Sequence, residues 1–380
     1  PEFMVYLDNS ATTAPCEKAI SEINSTLHEN FGNPSSLHIL GMNAELKMND
    51  VRKKLADLLE CRPDEIYFVS CATEGNNTCI EGAVRRNKRI GRKIVTTAVE
   101  HPSVLNTVKR LESEGSQAEF VLPESDGTVS AEKFASAVDE KTVLASMMLV
   151  NNETGAVMPV KETVSLVKRK NPNTIIHCDA VQAFGKMPVS VKKLGVDMLT
   201  LSGHKFHAPK GIGAMYIRKG VNIRPLLAGG GQERGMRSGT ESVPLIAGLG
   251  GALSEIPDFK STLERLYELR SYAKEQLLKI GNIKINSNDF SLPYILNISV
   301  LGYRSETLLH FLEAKEIYVS SGSACSKGEV SKVLTLQGLS KYETDSALRI
   351  SFSKYSSKED VDLLIGALKE AVSKLRRSVK

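Results

Sequence analysis

The sequence predicts an α/β fold, with a large domain built on a mainly parallel β-sheet and a smaller α+β domain. Two patterns support this prediction. Over the first two thirds of the chain, short apolar runs of strand length alternate with segments whose apolar residues recur at helical spacing. From about Leu263 the pattern changes to a long amphipathic helix, two strand-like runs and a last helix. A chain of 380 residues, of which 41% are hydrophobic, is long enough for both domains.

The first predicted helix covers residues 45–60, where Met48, Val51, Leu55 and Leu58 lie on one face. The six apolar runs that follow are typical of buried strands in a parallel sheet. They cover residues 66–69, 93–99, 143–150, 174–178, 196–201 and 213–217. We expect a large domain over residues 16–258 and a small domain formed by residues 4–15 and 259–380.

Composition and charge argue against several classes of function. The 49 basic and 44 acidic residues give a net charge of only +5, so nucleic acid is not an expected partner. No apolar run approaches the ~18 residues of a membrane span. The six cysteines form no CxxC pair, so neither a metal site nor a disulfide framework is indicated. We therefore predict a cytoplasmic protein in a reducing compartment.

The residues that follow the apolar runs predict where a ligand binds, because ligands of parallel sheets lie beyond the carboxyl ends of the strands. These residues are polar and chemically varied. They are Thr73, Glu100, His101, Asn151, Asn152, Asp179, Gln182, Ser202, His204 and Lys205. Thr73 is expected to cap a helix whose backbone N–H groups could hold an anion.

Each of these residues also has a structural explanation when it is taken alone. Lys205 stands in a segment with Gly and Pro, where a lysine taken alone is more often a turn residue. His101 and Asp179 are equally well explained as a packed histidine and a helix cap. Together, an anion cradle, a carboxylate and a lysine are what pyridoxal phosphate requires. Lys205 would then bond to the aldehyde of this cofactor, Asp179 would pair with its ring nitrogen and His101 would stack on its ring.

A second candidate site is the segment SSGSACSKG, residues 320–328. Its cysteine, Cys325, lies among small residues without apolar periodicity, which is the setting of an exposed and reactive thiolate. Further along the chain, Arg349 is a lone cation in a strand-like run. It is either a member of an ion pair or the group that binds a substrate carboxylate.

With these residues in place, the chain resembles the NifS/IscS-type cysteine desulfurases, which are fold-type I pyridoxal-phosphate enzymes of the class V aminotransferase group. The resemblance runs nearly from end to end, and SGHK followed by SSGSAC is highly specific. The matching segments are YLDNSATT, FGNPSS, ATEGNN, EHPSVL, VNNETG, HCDAVQAFGK, SGHKFHAPKGIGA, GGGQERGMRSGT and SSGSACS.

The resemblance implies a catalytic role for residues at matching positions. Lys205 would be the Schiff-base lysine, His101 the ring-stacking acid and base, and Cys325 the acceptor of sulfur. Arg349 would anchor the substrate carboxylate, with Asn152 near the substrate and the cofactor. The implied reaction converts L-cysteine to L-alanine and leaves the sulfur on Cys325 as a persulfide.

The resemblance also implies how the cofactor is held. Asp179 and Gln182 would contact the ring nitrogen and the ring oxygen. The implied phosphate ligands are Thr73, Ser202, His204, the backbone at Ala72, and Thr240 from the partner subunit. The family is homodimeric, with its site at the subunit interface.

The resemblance further implies delivery of the sulfur to an acceptor protein, for example an iron–sulfur scaffold or a tRNA-thiolation enzyme. Two departures lie close to the expected cofactor: Cys71 stands where glycine is common, and HAPKG replaces the more usual YGPKG. Two alternatives stay open. One is a cysteine or selenocysteine lyase that releases sulfide or selenide directly, and the other is a non-catalytic partner in sulfur assembly.

Overall fold

The computed structural model describes residues 4–321 and 331–379. Its strands are β1 (Val5–Tyr6), β2 (Ile66–Val69), β3 (Lys93–Thr97), β4 (Gln117–Val121), β5 (Thr142–Ser146), β6 (Ile175–Asp179), β7 (Met198–Ser202), β8 (Gly213–Ile217), β9 (Ile283–Ile285), β10 (Ile295–Val300), β11 (Ile317–Tyr318), β12 (Ser320–Ser321) and β13 (Ala347–Ser351).

The α-helices alternate with these strands over the first two thirds of the chain. They are α1 (Glu17–Glu29), α2 (Ile39–Leu59), α3 (Ala72–Arg86), α4 (Pro102–Ser113), α5 (Ala131–Ser136), α6 (Val160–Lys170), α7 (Val191–Leu194), α8 (Val243–Ser254), α9 (Phe259–Leu278), α10 (Ser305–Glu313), α11 (Lys332–Leu336), α12 (Lys341–Thr344) and α13 (Lys358–Lys374).

The largest sheet has seven strands in the order β2-β8-β7-β6-β5-β3-β4. The pairs between β3, β4, β5, β6 and β7 are parallel, and β8 runs antiparallel to both of its neighbours. All residues of β5, β6, β7 and β8 are buried, as expected for strands covered by helices on both faces. The predicted α/β architecture with a mainly parallel sheet is confirmed.

One strand of this sheet was not predicted. In β4, residues 117–121, exposed positions alternate with half-buried ones because the strand lies at the sheet edge, so it lacks a continuous apolar run. The predicted helix over residues 45–60 is longer in the structure and begins at Ile39. The runs at 93–99 and 143–150 leave the sheet early, at Thr97 and Ser146, and continue as buried loop.

A smaller antiparallel sheet has the strand order β12-β13-β10-β9, and β1 pairs in parallel with β11 beside it. The chain's first residues therefore pack against its last strands: the side-chain amide of Asn9 donates to the carbonyl of Ser351 at 2.9 Å. One hydrophobic core runs through both sheets, with Leu7, Val150 and Leu296 as buried members. The domain limits at residues 16 and 258 stay a prediction.

Within residues 4–321 and 331–379, no helix combines the length and the apolar character that crossing a membrane requires. The longest helix, α2, is amphipathic, and Leu55 and Leu59 on its buried face are fully covered.

A buried ion pair joins α2 to the large sheet. The guanidinium of Arg52 donates to both carboxylate oxygens of Glu233, at 2.9 and 2.7 Å, and to the carbonyl of Ile66 at 2.8 Å. Glu233 also accepts from the backbone N–H of Phe68 at 2.8 Å. The two side chains are 5% and 1% exposed, so each charge depends on the other for compensation.

Replacing Glu233 with alanine is expected to destabilise the fold by about 3–5 kcal/mol, because the Arg52 guanidinium would stay buried without its carboxylate. Urea unfolding measures this. The matched control is Asp57→Ala, which removes the carboxylate of an exposed pair with Lys53 and is expected to cost about 0–1 kcal/mol. Equal losses in the two variants would contradict the assignment.

Candidate active site

A cavity of about 270 Å³ opens at the carboxyl ends of the parallel strands. Ten of the residues singled out by the sequence analysis line it: Ala72, Thr73, His101, Asn152, Asp179, Gln182, Ser202, His204, Lys205 and Arg349. Asp179 and Ser202 are the last residues of β6 and β7. Thr240 is exposed and is not among the lining residues of its own chain. Cys325 lies outside the described residues.

The amine of Lys205 is held at the edge of the core by carbonyl oxygens of the N-terminal segment. A short 3-10 turn, Gly203–Lys205, follows β7 and directs the side chain towards residues 10 and 11. Its Nζ donates to the carbonyl of Ser10 at 2.7 Å and to that of Ala11 at 2.8 Å. The Lys205 side chain therefore belongs to the wall of the cavity, where two backbone carbonyls hold its amine.

The carboxylate of Asp179 is only 4% exposed, and its hydrogen bonds come from uncharged donors. Its Oδ2 accepts from the side-chain amide of Asn76 at 2.9 Å, and its Oδ1 accepts from the backbone N–H of Val181 at 3.0 Å. A buried anion held by neutral donors suits a cationic partner such as a protonated ring nitrogen.

His101 begins α4 as its N-cap, and its Nδ1 accepts the backbone N–H of Ser103 at 3.1 Å. Because Nδ1 is an acceptor, the neutral ring carries its hydrogen on Nε2. Burial lowers the pKa of His101; the negative charge of Asp179 opposes this shift and the positive charge of Lys205 adds to it. His101 is therefore a neutral imidazole that can donate from Nε2.

Asn76 and Ser103 connect these two groups, and the sequence analysis did not single them out. The amide nitrogen of Asn76 donates both to Asp179 and to the hydroxyl of Ser103, at 2.9 Å in each case. Its amide oxygen accepts from the hydroxyl of Thr200. Asn76 stands one turn after Thr73 in ATEGNN and is completely buried. Its burial follows from the packing of α3 on the sheet, which the sequence does not show.

The N-terminus of α3 forms the part of the cavity suited to an anion. Thr73 is not the cap of this helix: Cys71 is the N-cap, with extended backbone angles of φ −171° and ψ 171°, and Thr73 is the second helical residue. The expectation that Thr73 caps the helix was wrong because α3 begins immediately after Cys71. The backbone N–H groups of the first turn, at Ala72 and Thr73, are nevertheless directed to the cavity end of the helix.

The imidazole of His204 lies on the same side of the cavity and contacts the hydroxyl of Thr12 at 3.1 Å. Burial and, to a smaller degree, the positive charges of Lys205, Lys210 and Lys186 lower the pKa of His204 to about 4. The surroundings of His204 are therefore electropositive, and an anion bound here would be favoured.

Arg349, in β13, is a member of an ion pair, and its role in binding a substrate carboxylate stays a prediction. Its Nη2 donates to Asp8 at 3.0 Å and its Nη1 donates to the carbonyl of Asn152 at 2.9 Å. Its Nε is buried and has no hydrogen-bond partner among residues 4–321 and 331–379. The guanidinium is thus held in place by an ion pair and a backbone carbonyl.

Comparison with known proteins identifies the family. A model of the family described as aminotransferase class-V matches residues 5–364. The chain belongs to this family. A cysteine desulfurase IscS of Methanosarcina thermophila is 41% identical over 376 residues, which cover 98% of this chain and 93% of that protein. A cysteine desulfurase of Nostoc sp. is 40% identical over 378 residues, covering 98% and 94%.

Solved structures of class-V aminotransferase relatives have the same fold. A NifS-like protein is 40% identical and superposes with a TM-score of 0.93, covering 98% of this chain and all of that one. A structure described as SspA in complex with cysteine is 32% identical, with a TM-score of 0.82 and coverages of 93% and 99%. The predicted fold-type I architecture is confirmed by these relatives.

The members of this family depend on pyridoxal phosphate, and the cavity suits that cofactor. Asp179 offers a buried carboxylate for the ring nitrogen, Lys205 an amine for the aldehyde, and the start of α3 with His204 an electropositive place for the phosphate. Among the described residues, no group of three or more His, Cys, Asp or Glu side chains is arranged to hold a metal ion.

The ring of His101 is expected to be neutral at pH 7, with its hydrogen on Nε2, because burial lowers its pKa from the usual 6.5. Long-range proton–nitrogen NMR of protein labelled with ¹⁵N-histidine distinguishes the two tautomers. In Ser103→Ala the backbone donor at residue 103 remains, so the tautomer should be kept. A charged His101 at pH 7, or a hydrogen on Nδ1, would contradict this assignment.

Proposed function

We propose that this protein is a pyridoxal-phosphate-dependent cysteine desulfurase, a transferase that takes sulfur from L-cysteine and releases L-alanine. The observation that carries the proposal is a single cavity that brings together the amine of Lys205, the buried carboxylate of Asp179, the neutral imidazole of His101 and the guanidinium of Arg349. A combination of nucleophile, acid and anion-binding group in one cavity is typical of an enzyme rather than of a protein that only binds a ligand.

The cofactor would be held by groups on three sides of the cavity. Asp179 would pair with the ring nitrogen, Gln182 would donate to the ring oxygen, and Lys205 would bond to the aldehyde carbon. The phosphate would lie at the start of α3, bound by the backbone at Ala72 and by Thr73, Ser202 and His204, with Thr240 of the partner subunit. When bound there, pyridoxal phosphate withdraws electrons from the substrate's Cα.

The substrate would be oriented by its carboxylate. The Nε of Arg349 supplies a donor that the described chain does not use, and the backbone carbonyl of Asn152 keeps the guanidinium in place. Lys205, which lies next to the cavity, would accept the Cα proton at Nζ and return a proton to the product. His101 would donate from Nε2 and keep its hydrogen-bond partner Ser103 throughout.

Sulfur transfer would use Cys325. Its thiolate attacks the sulfur of L-cysteine; the Cβ–S bond of the substrate breaks and an S–S bond forms. The substrate carbon is reduced and takes up a proton to become alanine, while its sulfur is oxidised to the persulfide level. The reaction is balanced without an external oxidant or reductant.

Four of the five cysteines in the described part of the chain support this choice. Burial raises the pKa of Cys16, Cys61 and Cys79, and that of Cys178 as well, and acidic neighbours add to the effect at Cys61 and Cys178. Thiols with raised pKa values stay protonated and are poor nucleophiles. The persulfide is then better placed on Cys325 than on any of these four.

We further propose that the protein is a cytoplasmic homodimer that delivers its sulfur to an acceptor protein. An iron–sulfur scaffold and a tRNA-thiolation enzyme are both acceptors of the required chemistry. The position of Thr240 supports the dimer: it is exposed on its own chain, where it is available to a second subunit's cavity.

Replacing Lys205 with alanine is expected to remove the yellow absorbance of the bound cofactor and all formation of alanine from cysteine, because no covalent bond to the aldehyde can form. Absorption spectroscopy and an alanine assay measure both. Lys219→Ala, which removes an exposed lysine just after β8 that does not line the cavity, is the matched control and should keep colour and activity. Turnover by Lys205→Ala would overturn the cofactor assignment.

Replacing Cys325 with alanine is expected to keep cofactor binding and to abolish both alanine and persulfide, since only the sulfur acceptor is lost. Mass spectrometry after addition of cysteine detects a sulfur adduct and its position. Cys61→Ala, which removes a thiol whose pKa burial raises to about 12, should retain the adduct and is the control. Sulfide release by Cys325→Ala at the parental rate, with no sulfur on any cysteine, would favour a lyase.

A further inference from the structure

A buried lysine lies directly behind the cavity and has no part in the chemistry described so far. Lys186 is only 4% exposed, and its Nζ donates to the side-chain oxygen of Gln182 at 2.8 Å. The ring of Tyr294 lies 5.8 Å from the same Nζ. No carboxylate among the described residues forms an ion pair with Lys186, which is unusual for a buried lysine.

The chain is shaped to bring Lys186 to this place. Gly185 adopts φ +76°, a left-handed conformation that favours glycine. A Cβ at this position would come within 2.7 Å of the Cβ of Phe206. Lys186 follows Gln182 by four residues in HCDAVQAFGK. The turn at Gly185 brings its amine to the side-chain amide of Gln182.

The amide of Gln182 is held from two sides by groups of opposite hydrogen-bonding character. Its oxygen accepts from the amine of Lys186, and its nitrogen donates to the carbonyl of Ser10 at 3.0 Å. A carbonyl can only accept, and a lysine amine donates in either protonation state. The reversed amide would set its oxygen against the carbonyl oxygen of Ser10 and, with a protonated Lys186, its nitrogen against an ammonium that can only donate, so the observed orientation is favoured.

We infer that Lys186 is a positioning residue: it fixes the amide of Gln182 so that the second hydrogen on Nε2 stays available to a hydrogen-bond acceptor in the cavity. In the proposed function, on which this inference rests, that acceptor is the ring oxygen of pyridoxal phosphate. Lys186 does not touch the cofactor and acts through Gln182.

The same carbonyl connects this arrangement to the nucleophile. Ser10 accepts from Gln182 and also from Lys205, whose Nζ lies at 2.7 Å from it. Burial, together with the positive charges of Lys205 and Arg349, lowers the pKa of Lys186 to about 7. Burying this amine costs free energy, which indicates that its contact with Gln182 has a role beyond packing.

The test uses the full chain, freed of cofactor, and pyridoxal phosphate as the probe. Lys186→Met keeps the length of the side chain and removes the donor to Gln182. Its dissociation constant for pyridoxal phosphate, measured by absorbance titration, is expected to rise about tenfold, the effect of losing one well-oriented hydrogen bond to a charged group. The position of the visible absorption band should shift as well.

A double-mutant comparison shows whether Lys186 acts through the amide. Gln182→Leu should weaken binding at least as much as Lys186→Met, and Lys186→Met should add no further loss in the Gln182→Leu background. The matched control is Lys354→Met, which removes a lysine from the wall of the small neighbouring cavity that Lys186 also lines, without contacting Gln182. Its affinity is expected to stay within about twofold of the parental value.

The outcomes separate this inference from the proposed function. If the parental chain fails to bind pyridoxal phosphate, the proposed function falls first. If the parental chain binds it and Lys186→Met binds equally well with the same spectrum, or if the two losses simply add, the positioning role is wrong while the proposed function stands. Thermal unfolding of each cofactor-free variant identifies any loss of affinity that comes from a loss of fold.

Discussion

The organisation of the site depends on one constraint, which is the burial of the Asp179 carboxylate at the end of β6. A buried charge is costly unless hydrogen bonds stabilise it, and here they come from Asn76 and from the backbone of Val181. Asn76 must then be completely buried in α3, with its oxygen satisfied by Thr200 of the adjacent strand. The packing of α3 on the sheet therefore also determines the position of the Asp179 carboxylate.

A second dependence runs through the N-terminal segment, residues 4–15. Its carbonyls at Ser10 and Ala11 hold Lys205, the Ser10 carbonyl holds the amide of Gln182, and its Asp8 holds Arg349. The same segment pairs with the strands of the smaller sheet. A short stretch of chain thus connects Lys205, which follows a strand of the large sheet, with Arg349 of the smaller sheet. A few polar contacts therefore align groups from distant parts of the sequence.

Positive charges are concentrated at and behind the cavity, which suits anionic ligands. Burial and, to a smaller degree, the positive charges of Lys205 and Arg349 lower the pKa of Lys186 to about 7, and burial with the neighbouring lysines keeps His204 neutral. A phosphate and a carboxylate would supply the missing negative charge. Binding of an anionic cofactor and of an amino acid should therefore relieve repulsion that the unliganded fold contains.

The sequence by itself determined the α/β class, six strands of the large sheet and the polar residues at their ends, because a buried parallel strand must be a continuous apolar run and its last residue must face the ligand edge. Sequence motifs also pointed to the family. The tertiary structure alone decided which residues meet: Asn76 with Asp179, Asp8 with Arg349, and Lys186 with Gln182 inside a turn that Gly185 permits. The edge strand β4 and the true cap of α3 also required it. The contacts and the edge strand depend on which elements pack together, and the cap of α3 depends on the exact residue at which the helix begins. Local residue patterns determine neither.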